Sequence, residues 1–267
     1  MRKKILVVSC LLAVSLGFAV RLSAHGATVK PVVKEANVVM GDFKIMGNGT
    51  VRSWARLGKN GRATAVGITF SETALTGLPK GVKGDLRRSS FEYLLQVPPQ
   101  ARALRINHIS FDWEPFGHEP RGIYDVAHFD LHFYNVSVQD RNKIMGRGMA
   151  PQKMYKKPAA QFVPARYILA PGTGVPRMGA HWMNTAAPEL RGRKFTHTFV
   201  YGSYDGRFTF LEPMFAKSFL DTKPKLQMPI ALPKAVSQHG FYPTRYSVSH
   251  DPLRHEYSIA LENFQWR

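Results

Sequence analysis

His128-Phe129-Asp130-Leu131-His132-Phe133-Tyr134 is the stretch from which the rest of the chain is best read. It alternates without a break. On a β-strand, successive side chains point to opposite faces, so His128, Asp130 and His132 share one face and Phe129, Leu131 and Phe133 the other. The aromatic face predicts packing in a core. The opposite face is pure in groups that bind metals or handle protons, imidazole and carboxylate being common ligands of zinc and related ions. A helix would place His128 and His132 side by side, as in helical zinc peptidases, but the alternating aromatics argue for a strand. The strand is expected to run from Val126 to Val138.

On both sides of this stretch, short alternating segments are punctuated by Gly, Pro and Asn, the pattern of strands and turns. Thr50–Leu57 and Ala63–Phe70 flank Gly58-Lys59-Asn60-Gly61 as a hairpin. Ser71–Leu78 suits a short helix capped by Ser71. Phe91–Val97 reads as a strand closed by Pro98-Pro99, and Leu104–Trp113 alternates only loosely. Phe195–Tyr201 and Arg207–Phe215 flank Gly202-Ser203-Tyr204-Asp205-Gly206, a strong hairpin signal. Tyr246–Val248 and Glu256–Phe264 flank His250-Asp251-Pro252-Leu253 as the last one. Residues 139–161 are polar, basic and rich in Lys, Arg, Met and Pro, so they read as a long surface loop. Long helical periods are scarce and no repeat or domain boundary is visible. The fold class is all-β or mainly β: a single antiparallel β-barrel or sandwich over residues 25–267, with a few short helices and the long basic loop.

The chain opens on Arg2, Lys3 and Lys4, continues through an apolar run from Ile5 to Val20, and reaches a small residue at Ala24. A charged start, an apolar middle and a small-residue exit are the three parts of a secretory signal peptide, here residues 1–24. The run is short for a membrane span, which needs ~20 apolar residues. A retained anchor and a lipoprotein site at Val7-Val8-Ser9-Cys10 are the competing readings; Cys10 sits too early in the run for the second. The expected location is periplasmic or secreted. Cys10 is the only cysteine, so the exported chain would have neither disulfides nor thiol catalysis.

The chain carries 37 Lys and Arg against 18 Asp and Glu. Four of the basic residues (Arg2, Lys3, Lys4, Arg21) fall in the leader, so 33 against 18 leaves +15 on the remainder. That charge favours anionic partners. Export argues against nucleic acid and for an envelope surface or an acidic small ligand; plain solubility explains the charge equally well.

Residues i and i+2 on a strand lie ~7 Å apart and share a metal easily, whereas His128 and His132 are ~13 Å apart on a straight strand. Two arrangements follow. One imidazole anchors the ion with Asp130 while the other supports it, or a bulge brings both imidazoles in. Completion needs distant residues. His118, in the Gly/Pro-rich turn Gly117-His118-Glu119-Pro120, can fold back over the strand. His181 follows a Gly-rich loop in Met178-Gly179-Ala180-His181-Trp182. Glu212 ends Phe208-Thr209-Phe210-Leu211-Glu212-Pro213 on the face expected for Phe208 and Phe210. The candidate ligands are therefore His128, Asp130, His132, His181, Glu212 and His118. The first grouping to test is His128, His132, His181 and Glu212 around one ion, with Asp130 and His118 close by. The cofactor would be a transition metal, zinc first, with Fe, Mn or Cu as alternatives. His108, His197, His239, His250 and His255 read as ordinary, and Met145, Met149 and Met154 as packing or surface methionines rather than a copper loop.

The bland alternative is a hydrogen-bonded polar network inside a barrel, without metal. No G-x-S-x-G elbow, P-loop or G-x-G-x-x-G is present, and Gly202–Gly206 is turn chemistry. Three functions remain open. A metalloenzyme would activate water with Glu212, Asp130 or Glu119 as base. A binding module would hold a small apolar or anionic ligand, recruited by the 139–161 loop. An oligomeric envelope-stress protein would use the fold as a scaffold.

Gly-Asn-Gly-Thr-Val-Arg-Ser-Trp (47–54), Gly-His-Glu-Pro (117–120), the histidine strand (128–134), Met-Gly-Ala-His-Trp (178–182), Tyr-Gly-Ser-Tyr-Asp-Gly (201–206) and Leu-Glu-Pro-Met (211–214) occur in this order. From about residue 40 to the C-terminus the chain thereby resembles an exported bacterial family, domain-of-unknown-function family 5602. The resemblance implies an exported β-rich domain with the histidine strand as its metal site; it carries no catalytic role across. Val126-Ala127 precedes His128 where that pattern has a proline, a change at the strand's start rather than on its ligand face.

Overall fold

In this computed structural model, residues 37–84, 89–144 and 151–267 are described; the leader reading of residues 1–24 lies outside them. Among the described residues the strands are, in chain order, β1 (Val38–Met46), β2 (Gly49–Leu57), β3 (Ala63–Ser71), β4 (Phe91–Gln96), β5 (His108–Glu114), β6 (His128–Tyr134), β7 (Tyr167–Leu169), β8 (Ala180–Asn184), β9 (His197–Tyr204), β10 (Arg207–Ala216), β11 (Leu226–Pro229), β12 (Phe241–Asp251) and β13 (Glu256–Trp266). They form two antiparallel sheets. The six-stranded sheet runs β1-β2-β3-β13-β12-β11, and the seven-stranded sheet β4-β5-β6-β10-β9-β8-β7. The molecule is therefore a sandwich rather than a closed barrel. Strand period alone could not separate the two, because both alternate in and out along each strand.

The sheets meet across one apolar core. Val66, Ile68 and Phe70 of β3 and Tyr257, Ile259 and Leu261 of β13 face Ile109 and Phe111 of β5 and Phe129, Leu131 and Phe133 of β6. Phe70 and Phe111 pack across the sheets with ring centres 5.4 Å apart. Burying each of these large side chains is worth about 1.5–3 kcal/mol, which fixes strand register and leaves β5 and β6 with their alternate residues on the outer face of the seven-stranded sheet.

Local chemistry explains the connections. The β9–β10 hairpin turns on Asp205 and Gly206, both with positive φ (49° and 76°), as a tight two-residue turn whose twist matches its strands. Ser71 does precede a turn of 3₁₀ helix, Glu72–Leu75, but makes no capping bond to it. The expected strand Val126–Val138 is shorter: β6 ends at Tyr134, and Ser137 caps the helix α1 (Val138–Asn142) by accepting from the Asp140 amide. The basic segment after it is less of a surface loop than its composition suggested. It contains α1 and α2 (Pro151–Met154), and Arg141, Ile144 and Met154 are all buried. Met145 and Met149 lie outside the described residues. No helix among the described residues is long and apolar enough to cross a membrane.

Candidate metal centre

The outer face of β5 and β6 is polar, and it is buried. Both strands are buried at every position. Their pairing sets Ser110 opposite His132, Asp112 opposite Asp130 and Glu114 opposite His128. Like charges directly across a strand pair destabilise it, and burying a carboxylate is costly unless it is compensated. Asp112 and Asp130, 2% and 4% exposed, do both. Cations must answer for them.

The six residues singled out from the sequence fall into two groups of three. His118, His128 and Asp130 form one; His132, His181 and Glu212 form the other; within each, one ligand atom per residue lies within 4.8 Å of the others. This corrects the single grouping: His128 does not join His132, His181 and Glu212. The reason is the straightness of β6. No bulge interrupts it, so the ~13 Å between its two histidines persists and each takes its own partners.

The first centre is closed by the β5–β6 connection. Gly117 (φ +65°) turns the chain back, and a Cβ there would sit 1.9 Å from the Tyr124 carbonyl oxygen. That turn lays His118 over β6, where its Nε2 is 3.1 Å from Asp130 Oδ2. His128 Nε2 is 3.1 Å from Asp130 Oδ1. Phe195 and Tyr124 wall the site, the Phe195 ring 5.7 Å from that of His128.

A bulge in β10 builds the second centre. Phe208 pairs with Ser203 but Phe210 with Gly202, leaving Thr209 as the extra residue. Phe208 and Phe210 therefore face opposite ways, contrary to simple alternation. Phe208 joins the inter-sheet core, while Phe210 shares the outer face with Glu212. The Phe210 ring covers Gly202, where a Cβ would meet it at 2.0 Å, and packs against the rings of both His132 and His181. Glu212 Oε1 lies 3.3 Å from His132 Nε2, and Oε2 3.8 Å from His181 Nε2.

Three of the four imidazoles are held by their other nitrogen. Nδ1 of His118, His128 and His181 lies 2.7, 2.7 and 2.8 Å from the carbonyl oxygens of Glu119, Val126 and Thr173. A carbonyl only accepts, so each Nδ1 carries the proton and donates it. His132 Nδ1 instead faces Asp112 Oδ2 at 2.9 Å. Every Nε2 faces a carboxylate oxygen, His118 Nε2 at hydrogen-bond distance from Asp130 Oδ2, so a proton or a cation is needed between them. Nε2 of His128, both ring nitrogens of His132, Asp112 Oδ2, Asp130 Oδ1 and Glu212 Oε2 are buried and make no hydrogen bond.

Without a cation, protons must fill these gaps. Burial resists charge on His132, but Glu212 and Asp112 outweigh it and push its pKa up to about 9. At His118 burial is likewise outweighed, chiefly by Asp130, and the pKa rises to about 10. Burial would raise Asp130, yet His128 and His118 hold it well below the usual carboxylate range. Burial pushes Glu212 up to about 8, with His132 opposing, and lowers His181 to about 4. Glu114 is raised to about 8 by burial and by Asp130.

Four supporting residues, Asp112, Ser110, Glu92 and Glu114, lie outside the six candidate ligands. Asp112 backs His132. Ser110 Oγ lies 2.7 Å from Asp112 Oδ1 and 2.9 Å from Glu92 Oε1, and Glu92 is held by Arg141 and Arg177. Glu114 lies across from His128. The signal was present: His108-Ile109-Ser110-Phe111-Asp112-Trp113-Glu114 alternates as cleanly as β6. It is hidden when the segment is read from Leu104, because Pro99–Leu104 is a 3₁₀ turn and Arg105 (φ 61°) breaks the phase.

Residues 58–113 match a family model described as TTHB210-like, hypothetical protein TTHB210. The chain is similar to that family over β3, β4 and β5 as far as Trp113, a stretch that includes Glu92, Ser110 and Asp112. No curated protein and no solved structure matches the chain.

Proposed function

We propose that the chain is an exported metal-binding protein that takes divalent transition-metal ions at two neighbouring centres, His118/His128/Asp130 and His132/His181/Glu212. Zinc is the first choice of ion; Fe, Mn and Cu suit the same N and O donors. One observation carries the reading: three imidazoles are anchored through Nδ1 to backbone carbonyls, the fourth, His132, has its Nδ1 against Asp112, and all four aim Nε2 at carboxylate oxygens. That is how metal-binding histidines are oriented, and the His132–Asp112 pair reproduces the carboxylate–histidine–metal arrangement.

Separation supports it as well. An ion with ~2.0–2.1 Å bonds in tetrahedral geometry spaces its ligand atoms about 3.3 Å apart. The four Nε2–carboxylate separations are 3.1, 3.1, 3.3 and 3.8 Å, each imidazole facing a different oxygen of its carboxylate, and within each centre one ligand atom per residue lies within 4.8 Å of the others. Two imidazoles and a carboxylate leave a coordination position for water or substrate. Export rests on the leader-like first 24 residues, and lack of cysteine after residue 10 leaves nitrogen and oxygen as the donors.

The untagged protein, measured by plasma mass spectrometry, is expected to hold close to two metal equivalents. His118→Ala and His181→Ala should each remove about one, and His128→Ala/His132→Ala both. A folded, metal-free protein that takes up no Zn²⁺, Fe²⁺, Mn²⁺ or Cu²⁺ would overturn the reading and leave an imidazolium–carboxylate network.

A further inference from the structure

The two centres share a donor set but not a setting. In the second, the side chains of His132, Glu212 and His181 are 1%, 2% and 16% exposed, and Phe210 seals the histidine rings. Asp112 adds a second carboxylate through His132. A divalent ion there meets two negative charges and is neutral overall. In the first centre, His128 and Asp130 are 0% and 6% exposed but His118 keeps 38%, so this site opens to solvent on its His118 side. Its imidazoles are anchored to uncharged carbonyls. A divalent ion with Asp130 alone keeps one positive charge.

The chain segments that build this opening carry exposed basic residues. Arg121 lies in the same turn as His118, three residues on, and is exposed. Arg191, Arg193 and Lys194, also exposed, run directly into Phe195, whose ring stacks edge-on against Tyr124 and His128. None of these four cations makes an ion pair among the described residues. Against them stand exposed Glu119 and Asp125 and, buried, Glu114 beside His128 and Glu189, which accepts from Tyr124. Unpaired cations around a positively charged, open ion concentrate anions at the mouth of the cleft.

We infer that the first centre is an exchangeable site whose ion accepts a small anionic ligand, a carboxylate or oxyanion, drawn in by Arg121, Arg191, Arg193 and Lys194, while the second centre is closed and structural. The inference rests on the metal reading above. It assigns substrate contact to the His118 side and places no reacting group at His132.

Cobalt(II)-loaded protein titrated with azide tests it, since the visible cobalt bands respond when an anion joins the coordination. Wild type and His132→Ala/His181→Ala are expected to respond to azide; His118→Ala/Asp130→Ala is not. Arg191→Ala/Arg193→Ala/Lys194→Ala alters only exposed side chains and should keep its cobalt. For charges ~10 Å from the ion across water, each removal weakens an anion about twofold, so azide binding should fall by up to about eightfold. Neutral imidazole should bind that variant as it binds wild type. Cobalt uptake without an azide response, or a response that survives in His118→Ala/Asp130→Ala, overturns this inference and leaves the metal reading standing. Equal azide affinity in the charge variant overturns the role of the cations. Failure to bind cobalt at all removes the metal reading and this inference with it.

Discussion

The outer faces of the two sheets follow the same alternation to opposite ends. On the six-stranded sheet, β3 and β13 point Ala65, Gly67 and Thr69 outward against Glu262, Ala260 and Ser258. Its charges are wet: Glu262 pairs with Arg245 and Arg56, both guanidinium side chains being more than 40% exposed. On the seven-stranded sheet, β5 and β6 point Ser110, Asp112 and Glu114 outward against His132, Asp130 and His128, and loops bury them. A solvated ion pair is worth about 0–1 kcal/mol. Buried charges are penalised by several kcal/mol each unless partners compensate. A fold needs only the first kind of face, so the second calls for compensation, which the proposed ions would supply.

Removing the ions should expose that difference most strongly. If each centre is filled at a thousandfold excess over its dissociation constant, each contributes ~4.1 kcal/mol. For a domain of this size ~1 kcal/mol moves Tm by about 2–4 °C, so chelation should lower Tm by roughly 15–30 °C. Calorimetry with and without EDTA measures it. A Tm indifferent to chelator would mean that protons, not metals, compensate the buried face.

Replacing Asp112 by Asn sharpens the comparison within that face. Asn can still accept from His132 Nδ1, but it removes the charge that opposes the ion. Loss of such an outer partner typically weakens metal binding about 10–100-fold. The expected result is that drop at the second centre alone, read by competition with a chromophoric chelator. An equal drop at the first centre would show that the two sites act as one.

Asp112 also marks where sequence reasoning stopped. The polar stripe of β6 was legible because its seven residues alternate from end to end. That of β5 was not, since its phase starts only at His108, after a 3₁₀ turn that looks like more of the same strand. Gathering the candidate ligands into two triads instead of one depended on tertiary facts. A straight β6 keeps His128 from His132, Gly117 reverses the chain onto Asp130, and the Thr209 bulge turns Phe208 away from Glu212. Bulges and reversals add a single residue to a pattern, which alternation cannot register. The hairpins were legible for the opposite reason, their turn residues being local requirements.

Tyr124→Phe should have a smaller effect, on the packing that walls the first centre. Its hydroxyl donates to buried Glu189 Oε1 at 2.9 Å. Losing a hydrogen bond to a buried acceptor costs about 1–3 kcal/mol, a fall in Tm of at most about a third of that caused by EDTA. Metal content should stay unchanged, because Tyr124 supplies no ligand atom. Loss of the first-centre ion from this variant would mean that the wall, and not only the Nδ1 anchors, positions His118 and His128.

The least effect is expected on the other sheet. Glu262→Gln removes a carboxylate that sits between Arg245 Nε at 3.2 Å and Arg56 Nη1 at 3.6 Å. Both arginines remain solvated, and Gln keeps the size and an acceptor oxygen. Stability should change by about 1 kcal/mol or less, and the change should shrink further in high salt as screening takes over. Denaturant melts at low and high salt would show it. A loss of several kcal/mol would put this face in the same class as β5 and β6. The contrast between a wet face that carries the fold and a dry one that carries the site would then no longer hold.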